Sequence, residues 1–240
     1  MATYQQFQNQ RVLVVGGSSG IGLAVAQAFA ENGARVTIAS RSADKLAQAA
    51  EEIGNHVSIA ALDTTDNASI EAFFGSAEPW DHIVISAAQT PTGPVGKLAL
   101  EDAYQAMDSK FWGAYRIARA AKFAPGASLT FVSGFLAVRP SKNSVLQGAI
   151  NAAIESLARG LALELSPVRV NTVSPGVIVT PLWDKLPDAD RQQVFAKVAD
   201  HLPAKRVGQP QDIANAVLYL ASTPFATGST VLVDGGGAIA

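Results

Sequence analysis

The sequence predicts an α/β fold, with a doubly wound, seven-stranded parallel sheet flanked by helices on both faces. Short β-branched runs alternate with longer helical patterns along the 240 residues, the arrangement that makes βαβ units and a parallel sheet. A glycine-rich turn separates the first strand from the first helix. Hydrophobic residues make up 48% of the chain and charged residues 16%, which suits a large buried core and is too apolar for disorder.

Arg11 to Val15 reads as the first strand. Gly20 to Asn32 reads as a helix, with Ile21, Val25, Ala28 and Phe29 on one face and Gly33 as its stop. Arg35 to Ala39 is the second strand, and Ser42 is placed to cap a helix running to Gly54. Strands follow at His56 to Leu62, His82 to Ser86, Ser128 to Ser133 and Val168 to Val173, with a last one at Thr230 to Val233. Long helices are expected over Glu101 to Phe123 and Ser144 to Leu165, and each crossover should be right-handed. With no linker, repeat or low-complexity tract, residues 1–240 read as one domain. Residues 181–204 follow a Pro-Gly turn and break the alternation. They read as a helical substrate lid in which Trp183, Phe195 and Leu202, with the nearby Phe135, form an apolar wall. Core packing and an oligomer contact are the competing readings of those four side chains.

Composition removes several function classes. The formal net charge is -2, so nothing points to nucleic acid or an anionic membrane. No apolar run reaches the roughly 20 residues of a membrane span. The absence of cysteine excludes disulfides, thiolate catalysis and Cys-based metal sites. His56, His82 and His201 are scattered along the sequence, and no metal site is expected. The N-terminal residues carry no apolar signal core, so a soluble cytoplasmic protein is expected.

The first strand runs into Gly16, Gly17, Ser18, Ser19, Gly20, Ile21 and Gly22, and then into an amphipathic helix. Glycines allow a tight turn and close approach of backbone to a ligand. The free N–H groups and positive end of the helix dipole then face an anion. The spacing is GxxxGxG, without the Lys-Ser/Thr of a P-loop. Between a buried strand and a helix it points to dinucleotide binding on a Rossmann-type sheet; a turn that merely packs the helix is the alternative. In such folds the end of the second strand selects the cofactor, an acidic side chain for a ribose hydroxyl and a basic one for a 2′-phosphate. Here it reads Ser40, Arg41, Ser42. No carboxylate repels a phosphate, and Arg41 offers a planar fork suited to one. NADP(H) is the expected cofactor.

The chain resembles the short-chain dehydrogenase/reductase family over nearly its whole length. The resemblance rests on Gly16, Gly20, Ile21 and Gly22, and on Leu62 and Asp63 after the third strand. It rests also on the run Arg169 to Gly176 with Thr180 and Pro181, on Arg206, Gly208, Pro210 and Asp212, and on the run Val233 to Gly236. It implies that Asp63 lies by the adenine, with Ser86 and Ala87 beside the cofactor at the end of the fourth strand. It implies that Pro175, Gly176, Ile178 and Thr180 line the nicotinamide. It also implies a homodimer or homotetramer.

Departures from the family pattern carry the functional question. The fourth strand of the family ends Asn-Asn-Ala-Gly, and here Ile85 is followed by Ser86, Ala87 and Ala88. The family uses a Tyr-xxx-Lys pair on one helix, a serine before it and an asparagine on the preceding helix. Anchored on the run Ala152 to Leu157, the tyrosine position is Gln147 and the lysine position Asn151. The serine position falls on Gly134, next to Ser133, and the asparagine position is Lys110. No tyrosine lies between Tyr115 and Tyr219. Gln147 cannot ionise, and general acid–base catalysis contributes about 10²–10⁴-fold, so ordinary carbonyl reduction should be impaired. Three functions fit: an oxidoreductase built on Lys110, Ser133, Gln147 and Asn151, an NADP(H)-sensing regulatory protein, and a structural subunit paired with an active relative. Lysine and asparagine are exchanged between the two helices. Lys110 therefore either returns a positive charge to the site beside Asn151 or points away from it.

Overall fold

A computed structural model describes residues 6–54 and 57–240. In chain order the strands are β1 (Arg11–Val15), β2 (Arg35–Ser40), β3 (Val57–Ala61), β4 (Trp80–Ile85), β5 (Phe123–Val132), β6 (Arg169–Pro175) and β7 (Thr230–Val233). The helices are α1 (Gly20–Glu31), α2 (Ala43–Ile53), α3 (Asn67–Ser76), α4 (Leu100–Met107), α5 (Gly113–Ala120), α6 (Val145–Glu164), α7 (Asp188–His201) and α8 (Pro210–Ser222). His56, expected to open the third strand, lies outside the described residues.

All seven strands pair in parallel, in the order β3-β2-β1-β4-β5-β6-β7. The fold is thus the Rossmann-type sheet expected. Parallel strands covered on both faces carry near-continuous apolar runs, and Val12 to Val15 and Ile83 to Ile85 are buried. Helices α1, α2 and α8 enclose one face with Val25, Phe29, Leu46, Ile213 and Val217. Helices α3, α5 and α6 enclose the other with Ile70, Phe74, Ile117, Ile154 and Leu161. The strand order reverses between β1 and β4, and in open α/β sheets the ligand crevice lies at that reversal, beyond the carboxyl ends of the strands. Ser42 accepts a hydrogen bond from the Lys45 N–H and caps α2, as expected.

Several elements differ in extent from expectation, among them β4, which begins at Trp80, and β6, which runs on to Pro175. The helix expected over Glu101 to Phe123 is α4 and α5 joined by a π turn at Asp108–Trp112, and it stops at Ala120. The strand expected from Ser128 begins at Phe123, because residues 123–127 continue extended past a positive-φ Gly126. Helices α3 and α8 were not anticipated. The first is capped by Asp66 through the Ala68 N–H, and the second opens with Pro210 and a Gln209–Asp212 capping box.

At the opposite end of the sheet from the crevice, His82 is buried on β4. Its Nδ1 lies 2.7 Å from Ser128 Oγ and its Nε2 2.9 Å from Gln10 Oε1, and its ring stacks on Phe29. Burial, with Arg169 nearby, pushes its pKa down to about 4. The unfolded chain therefore binds a proton that the folded chain rejects between about pH 6.5 and pH 4. Stability from this group is complete above pH 6.5 and is lost as pH falls through that window. Urea denaturation across this range should show a decline of order 3 kcal/mol that His82→Gln largely removes. An equal decline in the variant would assign it to other groups.

Candidate active site

The glycine turn sits at the strand-order reversal. Gly16 donates its N–H to Ala39 O at 2.8 Å and adopts φ +85°, a conformation that favours glycine. A β-carbon on Gly22 would stand 2.1 Å from Gly16 O and 2.6 Å from Ser86 Oγ. One on Gly16 would stand 2.6 Å from the Ala87 nitrogen. Ser86 and Ala87 both donate their N–H groups to Val15 O, at 2.9 and 3.1 Å. Four of the expected site residues, Gly16, Gly22, Ser86 and Ala87, are thus one packed joint between β1, α1 and β4. Among the described residues no acceptor meets the N–H groups of Ser18, Ser19, Gly20, Ile21 or Gly22. They form the anion-ready start of a 12-residue helix. Thr180 leans over this turn, 3.3 Å from where a β-carbon on Gly20 would lie.

These residues fit a dinucleotide phosphate. Ser40 Oγ, at the end of β2, is enclosed and has no hydrogen-bond partner, and Arg41 beside it is exposed. Asp63 lies close enough to feel Arg41. Partial burial works against its charge, but hydrogen bonds from the Thr65 N–H and hydroxyl, with the guanidinium, outweigh it and hold the carboxyl below its usual value.

The segment after β6 closes the other side. Pro175 is buried, and a β-carbon on Gly176 would stand 2.7 Å from Asp234 Cα. Ile178 bridges to Gly208, and its carbonyl accepts from the Trp183 indole at 3.0 Å. Other motif residues serve as scaffold. Arg169 donates to the carbonyls of Leu220, Ala221 and Thr223 at the end of α8. Asn171 holds Ala226 and Ser229 before β7, and Asp234 accepts from the N–H groups of Gly236 and Ala238.

At the carboxyl end of β5 the structure gathers Lys110, Ser133, Asn151 and Glu155. Lys110 rises from the π turn, a local irregularity that is frequent at functional sites. Its ammonium is buried, donating to Ser133 O at 2.8 Å and to Asn151 Oδ1 at 2.7 Å. Lys110 thus turns inward to Asn151. Burial pushes its pKa down to about 8, against the opposing pull of the Glu155 carboxylate. The Ser133 hydroxyl donates to Glu155 Oε1 at 2.9 Å. Gln147 stands one helical turn before Asn151, and its Nε2 lies 3.5 Å from Thr90 Oγ1. That loop is tied down by Ser109 Oγ, which accepts from the Gln89 N–H at 2.8 Å. Gln147 is therefore on the site's rim, beside rather than within the lysine network. Glu155 was not anticipated as a site residue. The available signal was its place four residues after Asn151, among the buried Ile150, Ile154 and Ala158.

The turn, crevice and helix-borne cluster define a dinucleotide-binding α/β protein of the dehydrogenase type. Residues 15–237 match a family model described as enoyl-(acyl carrier protein) reductase. The chain is 34% identical to an NADP-dependent (R)-specific alcohol dehydrogenase of Lentilactobacillus kefiri, covering 93% of this chain and 94% of the relative. A small-chain dehydrogenase solved in complex with NADPH is 31% identical with a TM-score of 0.82, over 97% of this chain and 100% of that one. L-Sorbose reductase from Gluconobacter frateurii, solved with NADPH and L-sorbose, is 27% identical with a TM-score of 0.89, over 99% and 100%. The protein belongs to the short-chain dehydrogenase/reductase family.

Proposed function

We propose that this protein is an NADP(H)-dependent oxidoreductase whose chemistry runs without the family's tyrosine acid. The observation that carries this reading is the Lys110–Asn151 contact at 2.7 Å, which returns a buried cation to the site from the opposite helix. NADPH, when bound, supplies the hydride. The backbone of Ser18 to Gly22 would hold its pyrophosphate, Ser40 and Arg41 its 2′-phosphate, and Asp63 its adenine. Ser86, Ala87, Pro175, Gly176, Ile178 and Thr180 would border its nicotinamide half. Lys110 and Asn151 shape the electrostatics there, Ser133 joins the lysine to Glu155, and Gln147 offers a neutral amide on the rim. Such a site favours acceptors that need no side-chain acid, including quinones and preformed iminium ions.

Residues 1–240 act in this reading as one domain, with 181–204 as the lid. The Trp183–Phe195 contact, ring centroids 5.4 Å apart, supports it, as does the absence of any fully buried residue from α7. Leu202, by contrast, is buried against Gly235 and Gly237 and belongs to the core. Exposed Tyr104, Trp112 and Tyr115 on α4, the π turn and α5 support a homodimer or homotetramer. Among the described residues no helix is long and apolar enough to cross a membrane. A second reading, an NADP(H)-sensing regulatory protein or a structural partner of an active relative, is favoured by Gln147, which cannot ionise.

Cofactor choice is tested by calorimetry. NADPH should bind at least tenfold more tightly than NADH, a margin of about 1.4 kcal/mol, and Arg41→Ala should lose most of that preference. Equal affinities of the unaltered protein for both cofactors would refute the assignment. Oxidation of NADPH against a carbonyl, imine and quinone panel separates the enzyme from the regulatory reading.

A further inference from the structure

Asn151 stands at the α6 position that the family resemblance aligns with lysine, and Gly134 at the position it aligns with serine. Lys110 is a donor without an acceptor, so the oxygen of the Asn151 amide must face it, and its nitrogen must face away. That nitrogen lies 2.7 Å from where a β-carbon on residue 134 would stand. It meets no acceptor among the described residues, although Asn151 is 2% exposed. Nor is it one of the fully enclosed unpaired polar atoms, which are Ser40 Oγ, Trp80 Nε1, Thr172 Oγ1 and Ser174 Oγ. It is therefore not wholly enclosed, and it lies on the Gly134 side of the amide. A donor held in one orientation with no protein acceptor is completed by water or by a ligand.

We propose that the Asn151 amide nitrogen is the hydrogen-bond donor to a substrate oxygen, reaching from α6 into the space that Gly134 leaves open. Lys110 locks the amide's orientation, and Glu155, through Ser133, holds the strand end that Lys110 grips. The ligand class is a neutral carbonyl or quinone oxygen. NADPH, when bound, would supply hydride to the carbonyl carbon, and the C=O electron pair would then move to oxygen. The amide N–H would hold that negative oxygen until it took a proton from water. Donors already aimed at developing charge need no reorganisation, and an amide can hold that charge without losing a proton. The inference deepens the oxidoreductase reading and rests on it for the chemical step, while the binding contact stands by itself.

The test is a double-mutant cycle on the NADPH-loaded protein, read by calorimetry with N-cyclohexylformamide, an unreactive carbonyl. Asn151→Asp keeps the shape and the contact with Lys110 but removes the donor. It should weaken the probe about tenfold while NADPH still raises the melting temperature, and Asn151→Ala, the second single variant of the cycle, should weaken the probe to a similar extent. Gly134→Ser alone should weaken the probe similarly and lower the melting temperature, because its β-carbon meets the amide. Gly134→Ser combined with Asn151→Ala places a hydroxyl in the vacated space. It should recover probe affinity to within about threefold of the unaltered protein and melt above Gly134→Ser alone. Unchanged affinity in Asn151→Asp, additive losses in the double variant, or no probe binding by the unaltered protein at millimolar concentration would each overturn the proposal. Menadione-dependent NADPH oxidation judges the oxidoreductase reading separately. Probe binding without oxidation keeps the donor and ends that reading. Oxidation with unchanged probe affinity in Asn151→Asp does the reverse.

Discussion

Gly22→Ala should lower the melting temperature by roughly 10 °C and abolish the stabilisation that NADPH confers. The added methyl would stand 2.1 Å from Gly16 O and 2.6 Å from Ser86 Oγ. The first obstacle is backbone, and Gly16 is held by its own bond to Ala39, so no rotamer change relieves it. Helix α1 must move off the sheet or the β1 turn must open, and either displaces the N–H groups of Ser18 to Gly22. A ligand that binds only the folded state stabilises by about 2.7 kcal/mol at a hundredfold excess over Kd, and that gain should vanish with the geometry. Gly160→Ala is the control. Its β-carbon meets nothing within 4 Å on helix α6, so helix propensity should make it neutral or stabilising by up to about 1 kcal/mol. Thermal melts with and without NADPH decide it. A Gly22→Ala protein that melts like Gly160→Ala and still responds to NADPH would show that the turn is not the cofactor's seat.

The glycine turn was legible because its chemistry is local. A strand, a tight turn and a helix start leave a mark within about a dozen residues, and so do Ser40 and Arg41 at the next strand's end. The alternation of strands and helices was equally plain, since buried parallel strands carry near-continuous apolar runs, such as Val12 to Val15 in β1 and Ile83 to Ile85 in β4. Helix α3 was hidden because it carries few buried side chains, Ile70 and Phe74, which set too weak a period. The early start of β5 was hidden because Ala124, Pro125 and Gly126 carry turn chemistry, while the chain there stays extended. In the lysine cluster, the sequence placed Lys110 and Asn151 on adjoining helices but left the direction of the ammonium open. That direction depends on the π turn, which re-aims residue 110 and has no sequence period of its own. Glu155 was missed for the opposite reason. A lone carboxylate on an apolar helix face has no partner in sequence, and Ser133 and Lys110 become its neighbours only when β5, α6 and the π turn meet.

Lys110→Met should destabilise the protein by about 3–5 kcal/mol at neutral pH, because it removes one partner of a buried charged network and leaves the others unpaired. Asn151 Oδ1 and Ser133 O would each lose their donor, and the Glu155 carboxylate would lose the cation that faces it. The pH dependence tells this network apart from simple loss of packing. In the folded protein the lysine titrates at about 8 rather than its usual 10.5. Between those values the unfolded chain binds more protons, so stability from this group rises with pH and is lost as pH falls through the window. The gap between the unaltered protein and Lys110→Met should therefore widen from pH 8 to pH 10. Urea denaturation at both values measures it, with other titrating groups common to the two proteins. Function should report the same proton. If the ammonium helps to hold charge at the substrate, turnover should decline above about pH 8, and Lys110→Arg, which keeps its charge there, should abolish the decline. A variant that loses no stability, shows no pH-dependent gap and turns over normally would mean that the buried cation is incidental and that the regulatory reading gains.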